Sequence, residues 1–215
     1  MSKKKLLIFP FNGNGIEALD CISFDDFELI GFVDDDLQKK SDQYDIYTRD
    51  ILKKYEEFYL LAVPGSAESF RKRKEIINSL GIKNVGRYIT AIHPNASIGR
   101  NVEIGANCLI MAGVVITSNA RIGDHVCILP NSIVHHDSVI GEYTLIGSKV
   151  VVAGGTFLGE NCYVGSGSNI MNGLYIGNGS LIGMGSNVLS NVENNTVVAG
   201  NPARNLNIKR NEKSF

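Results

Sequence analysis

From Ile92 to about Val192 the chain repeats every six residues. One position per hexad reads Ile92, Ile98, Ile104, Ile110, Ile116, Ile122, Ile128, Val134, Ile140, Ile146, Val152, Leu158, Val164, Ile170, Ile176, Ile182 and Val188, an unbroken series of large aliphatics. Four residues after each comes a second column, mostly small, such as Cys108, Ala120, Ser132, Ser138, Thr144, Cys162 and Ser180. A fixed short period marks a solenoid, and six is the period of a parallel β-helix built from hexapeptides. Positions five and one of adjacent hexads share parity, so both point inward with one outward residue between them. Three short strands then close a triangular coil, and residues eighteen apart stack at about 4.8 Å. The run makes five coils and two further sides, about 27 Å of prism at that spacing.

The repeat takes about half of the chain, so the other half forms a separate unit. Lys4 and Lys5 lead into a strand from Lys5 to Phe9, followed by a Gly-rich loop and a helix from Ile16 to about Ser23. Further strands are expected at Glu28–Val33, Phe58–Val63 and Val85–Ile89, with a helix from about Ser66 to Leu80. Strands alternating with helices argue a small parallel α/β sheet, which puts a domain boundary at residues 88/89: 1–88 and 89–215. After Val192 a last strand and turn are expected around Thr196–Arg204, and the tail after Leu206 reads as polar and frayed.

Charge and cysteines limit the function classes. A net charge of −1 offers no field for nucleic acid or an anionic membrane. Lys3–Lys5 precede too few apolar residues for a signal peptide or a membrane span, so a cytoplasmic protein without membrane insertion is expected. Cys108 and Cys162 fall in the small inward column as core fillers, and Cys21 and Cys127 have no ligand spacing around them, so no metal site is expected.

Two stretches carry candidate chemistry. Gly13-Asn14-Gly15-Ile16-Glu17-Ala18 matches G-x-G-x-x-G/A, and Asp34 and Asp35 end the next strand. That pattern fits a phosphate and ribose site at a helix N-terminus, or else a tight strand-to-helix turn beside a solvated acidic loop. The space favours one nucleotide over a dinucleotide redox cofactor. The second stretch is Val134-His135-His136-Asp137-Ser138-Val139, whose turn pair His136-Asp137 projects from a prism edge. A neutral imidazole there can take a proton, and the adjoining carboxylate can hold its tautomer. Stacking by eighteen places Gly154, Asn172 and Ser190 below His136, and Gly155, Gly173 and Asn191 below Asp137, a strip nearly bare of side chains. Ser118 and Asn119 lie one coil above and are expected to face the N-terminal unit.

These residues carry a resemblance to a known family. The chain resembles the bacterial sugar acyltransferases of the hexapeptide superfamily that carry an N-terminal Rossmann-like domain. They include sialic acid O-acetyltransferases and the N-acetyltransferases of UDP-4-amino sugars in bacillosamine biosynthesis. The matching residues are Gly13 and Gly15, Phe32-Val33-Asp34-Asp35, His136-Asp137-Ser138-Val139-Ile140-Gly141 and Gly200-Asn201-Pro202-Ala203.

The resemblance implies an α/β N-terminal Rossmann-like domain followed by a left-handed parallel β-helix, assembled as a homotrimer with sites at subunit interfaces. It implies an acetyl-CoA-dependent N-acetyltransferase acting on a UDP- or dTDP-linked amino-deoxy sugar, such as a 4-amino-4,6-dideoxy sugar, in surface glycan biosynthesis. Its implied roles are His136 as general base, Asp137 as its orienting acid and Gly154 as oxyanion donor. Gly154, Gly155, Asn172, Gly173 and Arg204 would meet acetyl-CoA, and Gly13, Asn14, Gly15, Asp34 and Asp35 the nucleotide sugar. The chain departs from the pattern at Asn14, where many relatives carry histidine, and at Leu145, where some carry a second one. The competing readings are O-acetyl transfer to sialic acid or another sugar, and, in a different class, a zinc carbonic anhydrase on the same β-helix or a non-catalytic solenoid. His93 and His125 lie on other parts of the prism, too far from His136 for one metal.

Overall fold

A computed structural model describes residues 2–54 and 57–206. The polar tail after Leu206 lies outside the described residues. Strands β1 (Lys4–Phe9), β2 (Phe27–Val33), β3 (Ile46–Tyr47) and β4 (Tyr59–Ala62) form a parallel sheet of order β3-β2-β1-β4. Leu6, Leu7 and Ile8 are wholly buried, as a parallel strand covered on both faces requires.

The helices differ from the sequence expectation. Helix α1 spans Gly13–Glu17 and passes at Ala18 into a 3₁₀ turn, so it starts within the Gly-rich loop rather than after it. Helix α2 (Asp50–Lys54) and strand β3 were not expected from the sequence; both are too short to show a period. The helix expected over 66–80 is a 3₁₀ turn followed by α3 (Arg73–Asn78). The expected strand Val85–Ile89 is a 3₁₀ turn at Val85–Arg87, and Tyr88 makes one bridge to Leu60.

From Ala91–Ile92 to Asn187–Val188 every hexad contributes one two-residue strand, and each strand up to Asn169–Ile170 pairs in parallel with the one eighteen residues on, while Leu181–Ile182 pairs with Val197–Val198. The result is a left-handed parallel β-helix with three faces. The aliphatic column and the small column both point inward and form one continuous core. Serine and threonine are tolerated there because their hydroxyls reach carbonyls of the following turn: Ser132 Oγ donates to Gly147 O at 2.6 Å and Thr144 Oγ1 to Gly159 O at 2.9 Å. Val197–Gly200 and Ala203–Asn205 form an antiparallel hairpin that ends the prism.

The outward columns distinguish the faces. Ala91, Leu109, Cys127, Leu145, Tyr163 and Leu181 define one face, and the α/β unit packs on it through Leu6, Ile8, Leu61, Val63 and Phe70. The second face carries Val115, Ile133 and Val151, and the third carries Arg121, Val139, Phe157 and Tyr175. At the docked face Asn107 replaces a missing strand. It donates to Ala62 O and accepts from Ala62 N, each at 2.7 Å, capping the edge of the four-stranded sheet.

Candidate active site

One position in each turn between the second and third faces requires a left-handed backbone. Asn101, Asn119, Asp137, Gly155 and Gly173 occupy it with φ of 57°, 61°, 60°, 66° and 69°. Asn, Asp and Gly are the residues that enter this region at least cost. The column therefore suits a short acid at the turn beside His136. Backbone bonds fix it from coil to coil, Asp137 N to Ser118 O at 3.1 Å and Gly155 N to His136 O at 2.9 Å.

His136 Nδ1 lies 2.7 Å from Asp137 Oδ2, and Asn119 Nδ2 donates to Asp137 Oδ1 at 3.0 Å. The imidazole hydrogen bond, and then the Asn119 amide, hold the Asp137 carboxyl below its ordinary range. An ionised carboxylate only accepts, so Nδ1 carries the proton, and in the neutral imidazole the lone pair is on Nε2. His136 and Asp137 are both exposed, as a base that must reach a ligand needs to be.

Below the pair the sequence removes side chains. A Cβ on Gly154 would stand 2.7 Å from His136 Nε2 and 2.8 Å from its Cε1, so the ring rests directly over that glycine. Gly155 and Gly173 have open space where a side chain would be. At the other two edges the corresponding turn amide is capped by a side chain of the next coil: Asp124 accepts from Ala106 N at 2.7 Å at one, and Ser166 Oγ from Ser148 N at 3.1 Å at the other. Glycine below His136 provides no such cap, which leaves the turn amides of this edge for a ligand. Exposed Met171 and Leu189 border the strip on one side. Phe157 and Tyr175 border it on the other, their rings stacked 5.2 Å apart.

The strip carries Asn172 and Gly173 one coil further down, and it ends at a cleft of about 300 Å³ lined by Ser190, Asn191 and Arg204. The structure thus brings His136, Asp137, Gly154, Gly155, Asn172, Gly173 and Arg204 to one edge.

The N-terminal candidates sit elsewhere. The His136 turn joins the second and third faces, opposite the face on which the α/β unit docks, so Ser118 and Asn119 face solvent rather than that unit. Within one chain the two candidate sites do not meet. Asn14 lines a cleft of about 220 Å³ with Gly65, Ser66, Leu129, Leu145 and Tyr163. Leu145 is buried there, under Gly65.

Several loop groups are already occupied. The Gly15 amide donates to Asn12 Oδ1 at 2.9 Å, and a Cβ at Gly15 would strike Pro10 O. Gly13 has open space around it. Asp34 is buried and accepts from Phe11 N, Asp36 N and Lys39 Nζ, each at 2.9 Å. Asp35 pairs with Arg49 at 2.5 and 2.6 Å. Lys39 and Arg49 escaped the sequence reading, because nothing at short range marks a lysine or arginine that returns to an acidic strand end.

Among the described residues no group of three His, Cys, Asp or Glu could hold a metal. His125 is buried, 2.9 Å from Asn107 Nδ2 and stacked on Tyr143. Burial raises the Cys21 and Cys108 thiols to about 12 and those of Cys127 and Cys162 to about 11. Among the described residues no helix is long and apolar enough to cross a membrane.

Residues 155–190 match the family described as bacterial transferase hexapeptide (six repeats), and residues 87–164 match the GMPPB C-terminal domain family. No curated protein matches the chain. Among solved structures, the acetyltransferase domain of PglB from Neisseria gonorrhoeae FA1090, in complex with acetyl coenzyme A, aligns over 95% of this chain and 100% of that one, with TM-score 0.83 and 24% identity. PerB from Caulobacter crescentus, in complex with CoA and GDP-perosamine, aligns over 96% and 98%, with TM-score 0.82 and 22% identity. A mutant of AntD, an N-acyltransferase from Bacillus cereus, in complex with dTDP-4-amino-4,6-dideoxyglucose and Coenzyme A, aligns over 65% and 90%, with TM-score 0.54 and 18% identity. At these identities the likeness is one of fold.

Proposed function

We propose that the chain is an acetyl-CoA-dependent N-acetyltransferase acting on the amino group of a nucleotide-linked amino sugar. The observation that carries this reading is the His136–Asp137 bond of 2.7 Å, with the imidazole resting over Gly154 at the head of a side-chain-free strip. The shared fold supports it, since PerB and PglB were solved with CoA and acetyl coenzyme A and PerB also with an amino-sugar nucleotide.

Acetyl-CoA supplies a thioester carbonyl as the electrophile. His136 Nε2 takes the proton from the attacking amine, and Asp137 balances the imidazolium that forms. The Gly154 amide stabilises the oxyanion. The C–N bond forms, the C–S bond breaks, and the thiolate leaves with the proton. Four buried cysteines with raised pKa make poor nucleophiles, which fits direct transfer without an acyl-enzyme.

Residues 1–88 serve as a Rossmann-like nucleotide-sugar-binding domain. The ligand lies over Gly13 and Asn14, with Gly15 shaping the loop and Asp34 and Asp35 fixing the strand end. Residues 89–215 carry the acyl donor along Gly154, Gly155, Asn172 and Gly173 toward Arg204. Because the α/β unit lies opposite the His136 edge, a complete site forms between subunits of a cyclic trimer, the loop of one against the edge of the next. Met171, Leu189, Phe157 and Tyr175 give that edge an apolar surface to cover.

Thiol release from acetyl-CoA, followed with UDP-, dTDP- and GDP-linked 4-amino and 3-amino sugars and with free sialic acid, tests the reading. Turnover of one nucleotide amino sugar, lost in His136→Ala, is expected. A response to sialic acid alone would turn the reading to O-acetyl transfer, and an unimpaired His136→Ala would remove the proposed base.

A further inference from the structure

Above Asp137 the turn column continues as a ladder of side chains. Asn101 Nδ2 donates to Asn119 Oδ1 at 3.2 Å, Asn119 Nδ2 donates to Asp137 Oδ1 at 3.0 Å, and Asp137 Oδ2 meets His136 Nδ1 at 2.7 Å. The bond from Asn101 orients the Asn119 carboxamide, oxygen toward Asn101 and nitrogen toward Asp137. Since Asn119 occupies one carboxylate oxygen, the other is kept for the imidazole. Asp137 is exposed and its terminal torsion is broad, so nothing in its own rotamer preference would hold it there. The ladder stops at the histidine, and the next two members of the column are Gly155 and Gly173.

We propose that Asn119 is a positioning residue for His136: by fixing Asp137 it keeps the imidazole proton on Nδ1 and directs Nε2 to the substrate. This rests on the reading of His136 as base. Asn101 acts one step further away, through Asn119. A turn former alone would need only the left-handed backbone, φ 61° at Asn119, which glycine adopts freely. Asn119→Gly therefore separates the two roles, removing the carboxamide and keeping the turn.

The test is ¹⁵N NMR of the His136 ring in wild type and Asn119→Gly at a pH where the imidazole is neutral, together with steady-state kinetics. The wild type is expected to show the Nδ1–H tautomer, and the variant a mixture enriched in Nε2–H. In the variant kcat should fall about tenfold, the worth of one hydrogen bond to a charged group, with KM within about twofold. Asn101→Gly should give a smaller loss of kcat in the same direction. An unchanged tautomer in Asn119→Gly, whether or not activity falls, overturns the proposal, because the residue then only shapes the turn. The NMR arm needs no substrate. If His136→Ala retains activity, the base reading fails by itself, and the tautomer still decides whether Asn119 orients the ring.

Discussion

Arg73 Nη2 donates to the backbone carbonyl of His125 at 2.7 Å, across the boundary between the α/β unit and the prism. The guanidinium is wholly buried, also donates to Pro64 O, and among the described residues has no partner for Nε. Burial lowers its pKa to about 10, so it remains charged at neutral pH. It ties the Pro64-Gly65 turn, which borders the Asn14 cleft, to the β-helix.

Arg73→Leu should therefore loosen that join. Two buried carbonyls lose their donor, a cost of about 3 kcal/mol, or roughly 6–12 °C in melting temperature for a chain of this size. Calorimetry checks it; a midpoint within about 1 °C of wild type would mean that water replaces the guanidinium without penalty.

Stability should also fall with acid through His125. Burial, with a smaller contribution from Arg73, holds the imidazole down to about 4, while Asp124 pulls the other way. An unfolded histidine titrates near pH 6.5. Between those values the unfolded chain binds a proton that the folded one refuses, so the contribution is complete above about 6.5 and is lost as pH drops toward 4. The loss from pH 7.5 to 5 is about 2 kcal/mol. His125→Asn, which tolerates the φ of 61°, should lack that part of the slope. Denaturant titrations of both proteins at the two pH values measure the difference, and parallel slopes would refute the assignment.

The prism was legible because one pattern is written many times: a period of six fixes strand, turn and stacking together, and a single irregular residue cannot disturb it. The projection of His136 and Asp137 and the bare column below them followed from the same arithmetic. The face that the α/β unit covers did not. Its signal lies in an outward column, Leu109, Cys127, Leu145, Tyr163 and Leu181, that is apolar throughout, where the second face ends in Asn169 and Asn187 and the third begins with Glu103 and Arg121. In the first ninety residues, β3 and α2 are held by tertiary contacts: Ile46 pairs with Phe32, and Leu52 is buried against the sheet, where local periodicity is silent. Asp34 read as a ligand for sugar because its charge ends a strand; in the fold it is taken up by the Phe11 amide of the preceding loop, the Asp36 amide two residues on and Lys39 five residues on, none of which the motif marks as a donor.

Gly154→Ala should separate activity from stability. Gly154 has no left-handed backbone requirement, and the atoms its Cβ would meet belong to the far end of the His136 side chain. The ring can swing away at little cost, so stability should stay within about 0.5 kcal/mol. A displaced base should cost about a hundredfold in kcat. Gly155→Ala costs stability instead: φ of 66° strains the backbone by about 1–2 kcal/mol and leaves the ring in place, while the added methyl enters the open strip proposed for the acyl donor. Full activity in Gly154→Ala would show that the imidazole need not sit where it does.

A site shared between subunits predicts complementation. Asn14→Trp should fill the cleft beside Leu145 and block the sugar-nucleotide side, while His136→Ala removes the base. Each homotrimer is then inactive. When the two are unfolded together at equal amounts and refolded, an interface with the intact loop of one chain and the intact edge of its neighbour arises with probability about one quarter, so about a quarter of wild-type activity should return. Were the loop and edge of the same chain to form the site, mixing could restore nothing, since every chain carries one lesion. Sedimentation of the mixture confirms that trimers formed. Activity that stays at background in a sample of verified mixed trimers would place the whole reaction within one subunit, against the distance that the docked face puts between Asn14 and His136.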